Sequence, residues 1–142
     1  MPLPSLAQTI DLASALCCLF ALWKGGVGER AAAGAVIGNL LIARLVDHLV
    51  LDEPLRAAND GLTALALLAV TVRFAAPWMG VVMLFYAAQF SMHAVYLVLE
   101  RKRDYLHALI NNLDFIGINL CLVIGTLVAW WARRVRARSL AA

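Results

Sequence analysis

The stretch "RLVDHLVLDEPLRAAND" (Arg44 to Asp60) decides how this chain is read. Arg44, Asp47 and His48 sit inside an apolar run, and Asp52, Glu53, Arg56 and Asp60 follow just after it. The surroundings are unusually greasy. The 142 residues are 63% hydrophobic and 15% charged, with a mean hydropathy of +0.82. Average soluble chains are about 45–50% apolar and about 25% charged. The composition therefore points to a membrane protein, and the length leaves room for one domain. A net charge of +3, with the basic residues at the edges of apolar runs, argues against a nucleic-acid partner. The expected partner is the lipid bilayer.

Working outward, five apolar runs approach the roughly 20 residues that a membrane helix needs. They cover residues 6–23, 31–51, 59–76, 78–99 and 110–131. "KGGVGER" separates the first two. "DEPLRAAND" separates the second and third, with Pro54 blocking helix continuation. "AAPWMG" turns the third into the fourth, and "ERKRDYLHAL" joins the fourth to the fifth. The expected fold is an all-α bundle of five transmembrane helices. A four-helix arrangement, with one weak span lying on the surface, is the alternative. Residues 1–132 form the transmembrane domain, and residues 133–142, "RRVRARSLAA", form a basic cytoplasmic tail suited to anionic lipid. The N-terminus lacks the basic region of a secretory signal, so the first run is expected to stay as a helix.

Lys and Arg in short loops set orientation. With the N-terminus outside, Lys24, Arg30, Arg73, Arg133, Arg134, Arg136 and Arg138 fall inside, against Arg56, Arg101, Lys102 and Arg103 outside. Trp23, Trp78, Trp130 and Trp131 then all fall at inner helix ends, where the membrane–water interface favours tryptophan. The expected location is the bacterial inner membrane, crossed several times.

This topology turns the opening stretch into a question of depth. At 1.5 Å per residue, Asp11, Arg44, Asp47, His93 and Asp114 lie about 6–10 Å from the outer helix ends. The inner halves, such as "CCLFALW" and "AAAGAVIG", carry almost no polarity. Residues three and four apart share a helix face. Arg44, Asp47 and His48 form one stripe; Gln89, His93, Tyr96 and Glu100 a second; His107, Asn111 and Asp114 a third. Asp11 with Ser14 and Cys18 makes a fourth, weaker one. Lipid cannot satisfy such stripes, so they should face other helices or a water-filled cavity. The candidate site is thus an outer polar layer of Asp11, Arg44, Asp47, His48, His93, Tyr96, Asn111 and Asp114. Within it Arg44 is expected to pair with Asp47 or Asp114.

The plainest role for this layer is to hold helices together, at about 0.6–2 kcal/mol per interhelical hydrogen bond. The charge balance suggests more. Asp11, Asp47 and Asp114 face one arginine, so a proton, a charged histidine, a cation or water must compensate. His48 and His93 could alternatively ligate haem or a metal, although no spacing motif supports it. Cys17, Cys18 and Cys121 lie in apolar runs without zinc-type spacing and read as packing residues. No GxSxG, Walker or HExxH motif occurs, so neither enzymatic activity nor a cofactor is expected. The small residues Gly34 and Gly38, and Gly117 and Gly125, mark faces where helices approach closely, within the chain or in a homo-oligomer or with a membrane protein partner.

"HAVY" (His93 to Tyr96), Tyr105 and "NNLDFIGINL" (Asn111 to Leu120), together with "RLVDHLVLDEPL" and "NDGLTALALL", resemble small polytopic membrane proteins of tailed phages and prophages. The resemblance covers roughly the last two thirds of the chain. It implies a host inner-membrane setting and a holin-like or envelope-modifying role, although holins usually have one to three spans. Three readings result: a non-enzymatic structural or interaction protein first, a permeabilising or small proton or cation pathway protein second, and a haem or metal redox subunit third.

Overall fold

The computed structural model describes the backbone of residues 6–49, 53–102 and 104–140, and the side chains of these except 6, 7, 47, 49 and 53. The side chain of Asp47 thus lies outside the described residues. Five α-helices follow in order: α1 (Leu6–Lys24), α2 (Val27–Leu49), α3 (Glu53–Phe74), α4 (Pro77–Val98) and α5 (Tyr105–Ser139). No strand occurs among the described residues.

Local chemistry sets the helix ends, and two of them depart from expectation. The break "KGGVGER" shrinks to Gly25 and Gly26, because the Glu29 carboxylate reaches back to accept from the Gly26 N–H at 2.7 Å and starts α2. This is the glutamate half of a capping box. Pro54 does not keep the helix out of "DEPLRAAND". It sits in the first turn of α3, where its missing N–H costs nothing, so Arg56, Asn59 and Asp60 are helical. Pro77 begins α4 in the same way. Ala75 (φ 51°) and Glu100 (φ 48°) take the left-handed conformation that closes α3 and α4. After α4 the Arg101 N–H donates to Tyr96 O and the Glu100 N–H to Leu97 O, which is the Schellman pattern.

Consecutive helices run antiparallel and close into a ring. α1 packs on α2 and α5, α2 on α3, α3 on α4 and α4 on α5, and α2 also touches α5 across the middle. The ring buries small and medium side chains such as Cys18, Ala32, Val36, Leu67, Val82, Ile118 and Leu122. The outer surface is apolar as well: Leu16, Leu41, Leu65, Leu84 and Ile124 are all exposed. Polar side chains, including Asn39, Asp60, Gln89 and His93, point inward. A ring with apolar residues outside and polar ones inside suits lipid as its solvent. Among the described residues, α3 from Pro54, α4 and α5 are long and apolar enough to cross a membrane.

The glycines divide. Gly117 lies under the Phe85 ring and Gly125 under Trp78, leaving no room for a side chain on either. Nothing lies within 4 Å of a side chain added at Gly34 or Gly38, so that GxxxG pair makes no close contact inside the chain. α5 is about 52 Å long, well beyond a bilayer core of about 30 Å. It runs unbroken through Arg133, so the basic tail is a projecting helix end rather than a separate segment. At that end Lys24 lies over the Trp23 and Trp130 rings, and Arg133 donates to Lys24 O at 2.6 Å.

Candidate functional site

The chemistry gathers at the opposite end of the ring, on the α3 side. Asn39 of α2 donates through Nδ2 to Asp60 Oδ1 at 2.9 Å and to Thr63 Oγ at 3.2 Å. Asn59 Nδ2 returns a bond to the Asn39 carbonyl at 3.0 Å, and Thr63 donates to the Asn59 carbonyl at 2.8 Å. Asn59, Asp60 and Thr63 can face one partner because helix α3 already runs through them. The knot fixes one oxygen of a buried carboxylate.

The other oxygen begins a chain. His93 Nε2 of α4 lies 3.3 Å from Asp60 Oδ2, and His93 Nδ1 lies 3.3 Å from His107 Nε2 of α5. Both rings are buried and meet edge to face, with centroids 5.0 Å apart. Three helices thus contribute an aspartate, a histidine and a histidine in line. The chemistry of the rings sets the direction of the bonds. A neutral imidazole has one donor and one acceptor nitrogen. With Asp60 ionised, His93 donates from Nε2, so its Nδ1 must accept from His107 Nε2–H. A proton added at His107 Nδ1 can therefore pass along. The His107 Nε2 proton moves to His93 Nδ1, and the His93 Nε2 proton moves to Asp60. One proton enters, one arrives, and each ring exchanges its tautomer.

A clasp at the α4–α5 connection holds His107. Asp104 caps α5, with Oδ1 accepting from the His107 N–H at 2.9 Å. The Tyr96 hydroxyl donates to the same oxygen at 2.7 Å, and Arg101 reaches Oδ2 at 3.1 Å. The His107 N–H, then the Tyr96 hydroxyl, hold the Asp104 carboxyl below its usual range. The Tyr96 ring also stands edge-on to His107, at 4.8 Å between centroids.

Beside the chain lies a cavity of about 240 Å³, lined by Asp11, Arg44, Asn59, Asp60, His93 and Asn111 among others. Arg44 pairs with Asp11 of α1 on its rim. The expected Arg44–Asp114 pair is therefore replaced by Arg44–Asp11. Asp114 is buried on α5 with its Oδ2 unpartnered.

Of the sequence-level candidates, Asp11, Arg44, His93 and Asn111 line one cavity, and Tyr96 joins through His107. His48 stands exposed at the end of α2. Both ring nitrogens of His93 already face chain partners, so none is offered to a ligand opposite His48. No group of three or more His, Cys, Asp or Glu side chains converges as a metal site among the described residues. Asp60, Asn39 and the His93–His107 pairing were missed. Asp60 stands in sequence at the seam between "DEPLRAAND" and the run from residue 59, and a first-turn Pro54 is the signal that α3 starts earlier. Neither a family model, nor a curated protein, nor a solved structure matches the chain.

Proposed function

We propose that this is a multi-pass protein of the bacterial inner membrane that performs no covalent chemistry and takes up and releases protons at one end of its helix ring. The carrying observation is the Asp60–His93–His107 chain beside a polar cavity. A scaffold needs polar groups that are paired. It does not need two imidazoles bonded nitrogen to nitrogen and backed by a carboxylate. Histidine is the side chain best suited to exchanging a proton in this way, because each ring carries one donor and one acceptor nitrogen. The small proton-pathway reading thereby moves ahead of the purely structural one. The N-outside orientation places this end outward, on the strength of the Lys/Arg bias and the four tryptophans.

Nitrogen NMR of the reconstituted protein, labelled at histidine, tests this reading. His93 and His107 should change protonation and tautomer together as the pH is lowered. Two independent curves, or rings that stay in one tautomer throughout, would remove the proposal.

A further inference from the structure

Polar side chains continue inward from the histidine chain, into the half of the ring that the sequence marks as dry. Tyr86, Gln89, His93 and Tyr96 follow one another on α4 at helical spacing and are all buried. On α5 the inward series is Asp114, Asn119, Leu122 and Thr126. Three contacts fix the α4–α5 register: His93 with His107, Phe85 with Gly117, and Trp78 with Gly125. Gln89 therefore lies near the level of Asp114, and Tyr86 between Asp114 and Asn119. Asn119 itself donates to Ser14 of α1 at 2.7 Å.

Most of these groups are unsatisfied. Among the described residues, the Tyr86 hydroxyl, both polar atoms of Gln89, Asp114 Oδ2, Asn119 Oδ1 and Thr126 Oγ have no hydrogen-bond partner. Gln89, Tyr86 and Thr126 are completely buried. A core that served packing alone would carry apolar groups here, because an unpaired buried amide or hydroxyl is costly. Asn39 Oδ1, beside Asp60, is unsatisfied as well, and on α4 and α5 the unsatisfied groups run from the level of Asp114 to that of Thr126. From Thr126 it is two further helical turns to Arg133. Arg133 Nη1 stands 3.5 Å from Glu29 Oε2 at the tryptophan end. His107 to Arg133 spans about 39 Å along α5, more than a bilayer core of about 30 Å.

We propose that these side chains form a gated proton path through a single ring, so that the protein conducts protons across the membrane rather than only binding them. The inference rests on reading the histidine chain as proton-exchanging. A proton entering at His107 or at the cavity reaches Asp60 and His93. It passes through the Gln89–Tyr86 level to the Ser14–Asn119 pair, and leaves by Thr126 and Glu29. Water links the unpartnered groups and carries the proton between them, with no bond broken other than O–H and N–H. The charged and titratable groups facing His93 are Asp60 and Arg56 from α3, His107 from α5, and Asp11 and Arg44 from across the cavity. Lys24, Glu29 and Arg133 stand at the exit.

The gate is the stretch of the series that an apolar side chain fills. Asn119 and Thr126 are about 10 Å apart along α5, and fully buried Leu122 lies between them. Val82 and Cys18 are fully buried in the same core cluster. Packed side chains leave no standing water file here. Conduction therefore waits on transient wetting and is slow.

The test is proton flux in vesicles of phosphatidylethanolamine and phosphatidylglycerol with an enclosed pH dye, driven by a potassium diffusion potential. The wild type should acidify the lumen above protein-free vesicles. Gln89→Leu and Thr126→Val, each tenable by size in the core, should reduce the flux at least fivefold, and Thr126→Ser should restore it. Leu122→Ser should raise it severalfold. Absent flux, or flux indifferent to Gln89→Leu and Thr126→Val in variants that retain wild-type circular dichroism, would overturn the path. Paired titration of His93 and His107 without any flux would overturn the path alone and leave one-ended proton exchange standing. Loss of paired titration would remove both.

Discussion

Asn39→Ala tests the knot that holds the carboxylate at the start of the histidine chain. The change removes two donations from Nδ2, to Asp60 at 2.9 Å and to Thr63 at 3.2 Å. A hydrogen bond to a charged group contributes about 1.5–3 kcal/mol and a neutral one about 0.5–1.5 kcal/mol. Measured interhelical bonds in membranes lie lower, averaging about 0.6 and reaching about 1.7 kcal/mol. Asn59 loses nothing, because its bond goes to the residue-39 carbonyl, which survives the change. We therefore expect a loss of about 2–3 kcal/mol, weighted toward Asp60 because both partners are buried. At about 4 °C per kcal/mol, that lowers the unfolding midpoint in detergent by about 8–12 °C. A double-mutant cycle with Asp60→Asn isolates the pair and should return a coupling above about 1 kcal/mol. A loss below about 0.5 kcal/mol with no coupling would refute the reasoning. It would mean that Asn39 does not hold Asp60 in place.

Two further outcomes follow from the geometry. Gly125→Leu and Gly117→Leu should collapse folding yield, since each side chain would run into Trp78 or Phe85, whereas Gly34→Leu and Gly38→Leu should leave the monomer's midpoint within about 1 kcal/mol of wild type. If Gly34→Leu instead dissociates a dimer seen by crosslinking, the open GxxxG face is an oligomer contact. Asp104 has a folded pKa below its ordinary value, so its contribution is present above the ordinary carboxylate range and is lost as pH falls through the lowered value. Local hydrogen exchange at the start of α5 should therefore quicken only in acid below the usual aspartate titration. Asp104→Asn should abolish that pH dependence, and a dependence that survives the substitution would contradict the clasp.

The sequence made the bundle legible because lipid imposes a simple rule on length and polarity. Five runs became five helices, and the tryptophans of α1 and α5 meet at one end. Part of the polar layer was legible for the same reason: Asp11, Arg44, His93 and Asn111 stood out against apolar neighbours and line one cavity, whereas His48 stands exposed at the end of α2. Partners were not legible. Arg44 was matched across the bundle to Asp114 by depth, and depth says nothing about which helices are adjacent; α1 sits beside α2, so Asp11 pairs with the arginine, while Asp47 lies outside the described side chains. Asp60 was hidden by Pro54, which reads as a breaker anywhere except in a first helical turn. Gln89 stood in the α4 stripe, but Thr126 was hidden, because one polar residue in an apolar run does not reveal whether it meets a partner.

The most direct measurement of the central claim is nitrogen–nitrogen coupling across the His107–His93 hydrogen bond, recorded on histidine-labelled protein in bilayers. At neutral pH the account predicts a resolved coupling between His107 Nε2 and His93 Nδ1, with the shared proton on His107. On acidification the proton should sit on His93 Nδ1, and the His107 tautomer should exchange in step. In Asp60→Leu the order should be lost, because no acceptor then fixes the Nε2–H of His93. Absence of coupling at every pH, with both rings titrating as free imidazoles, would contradict the account.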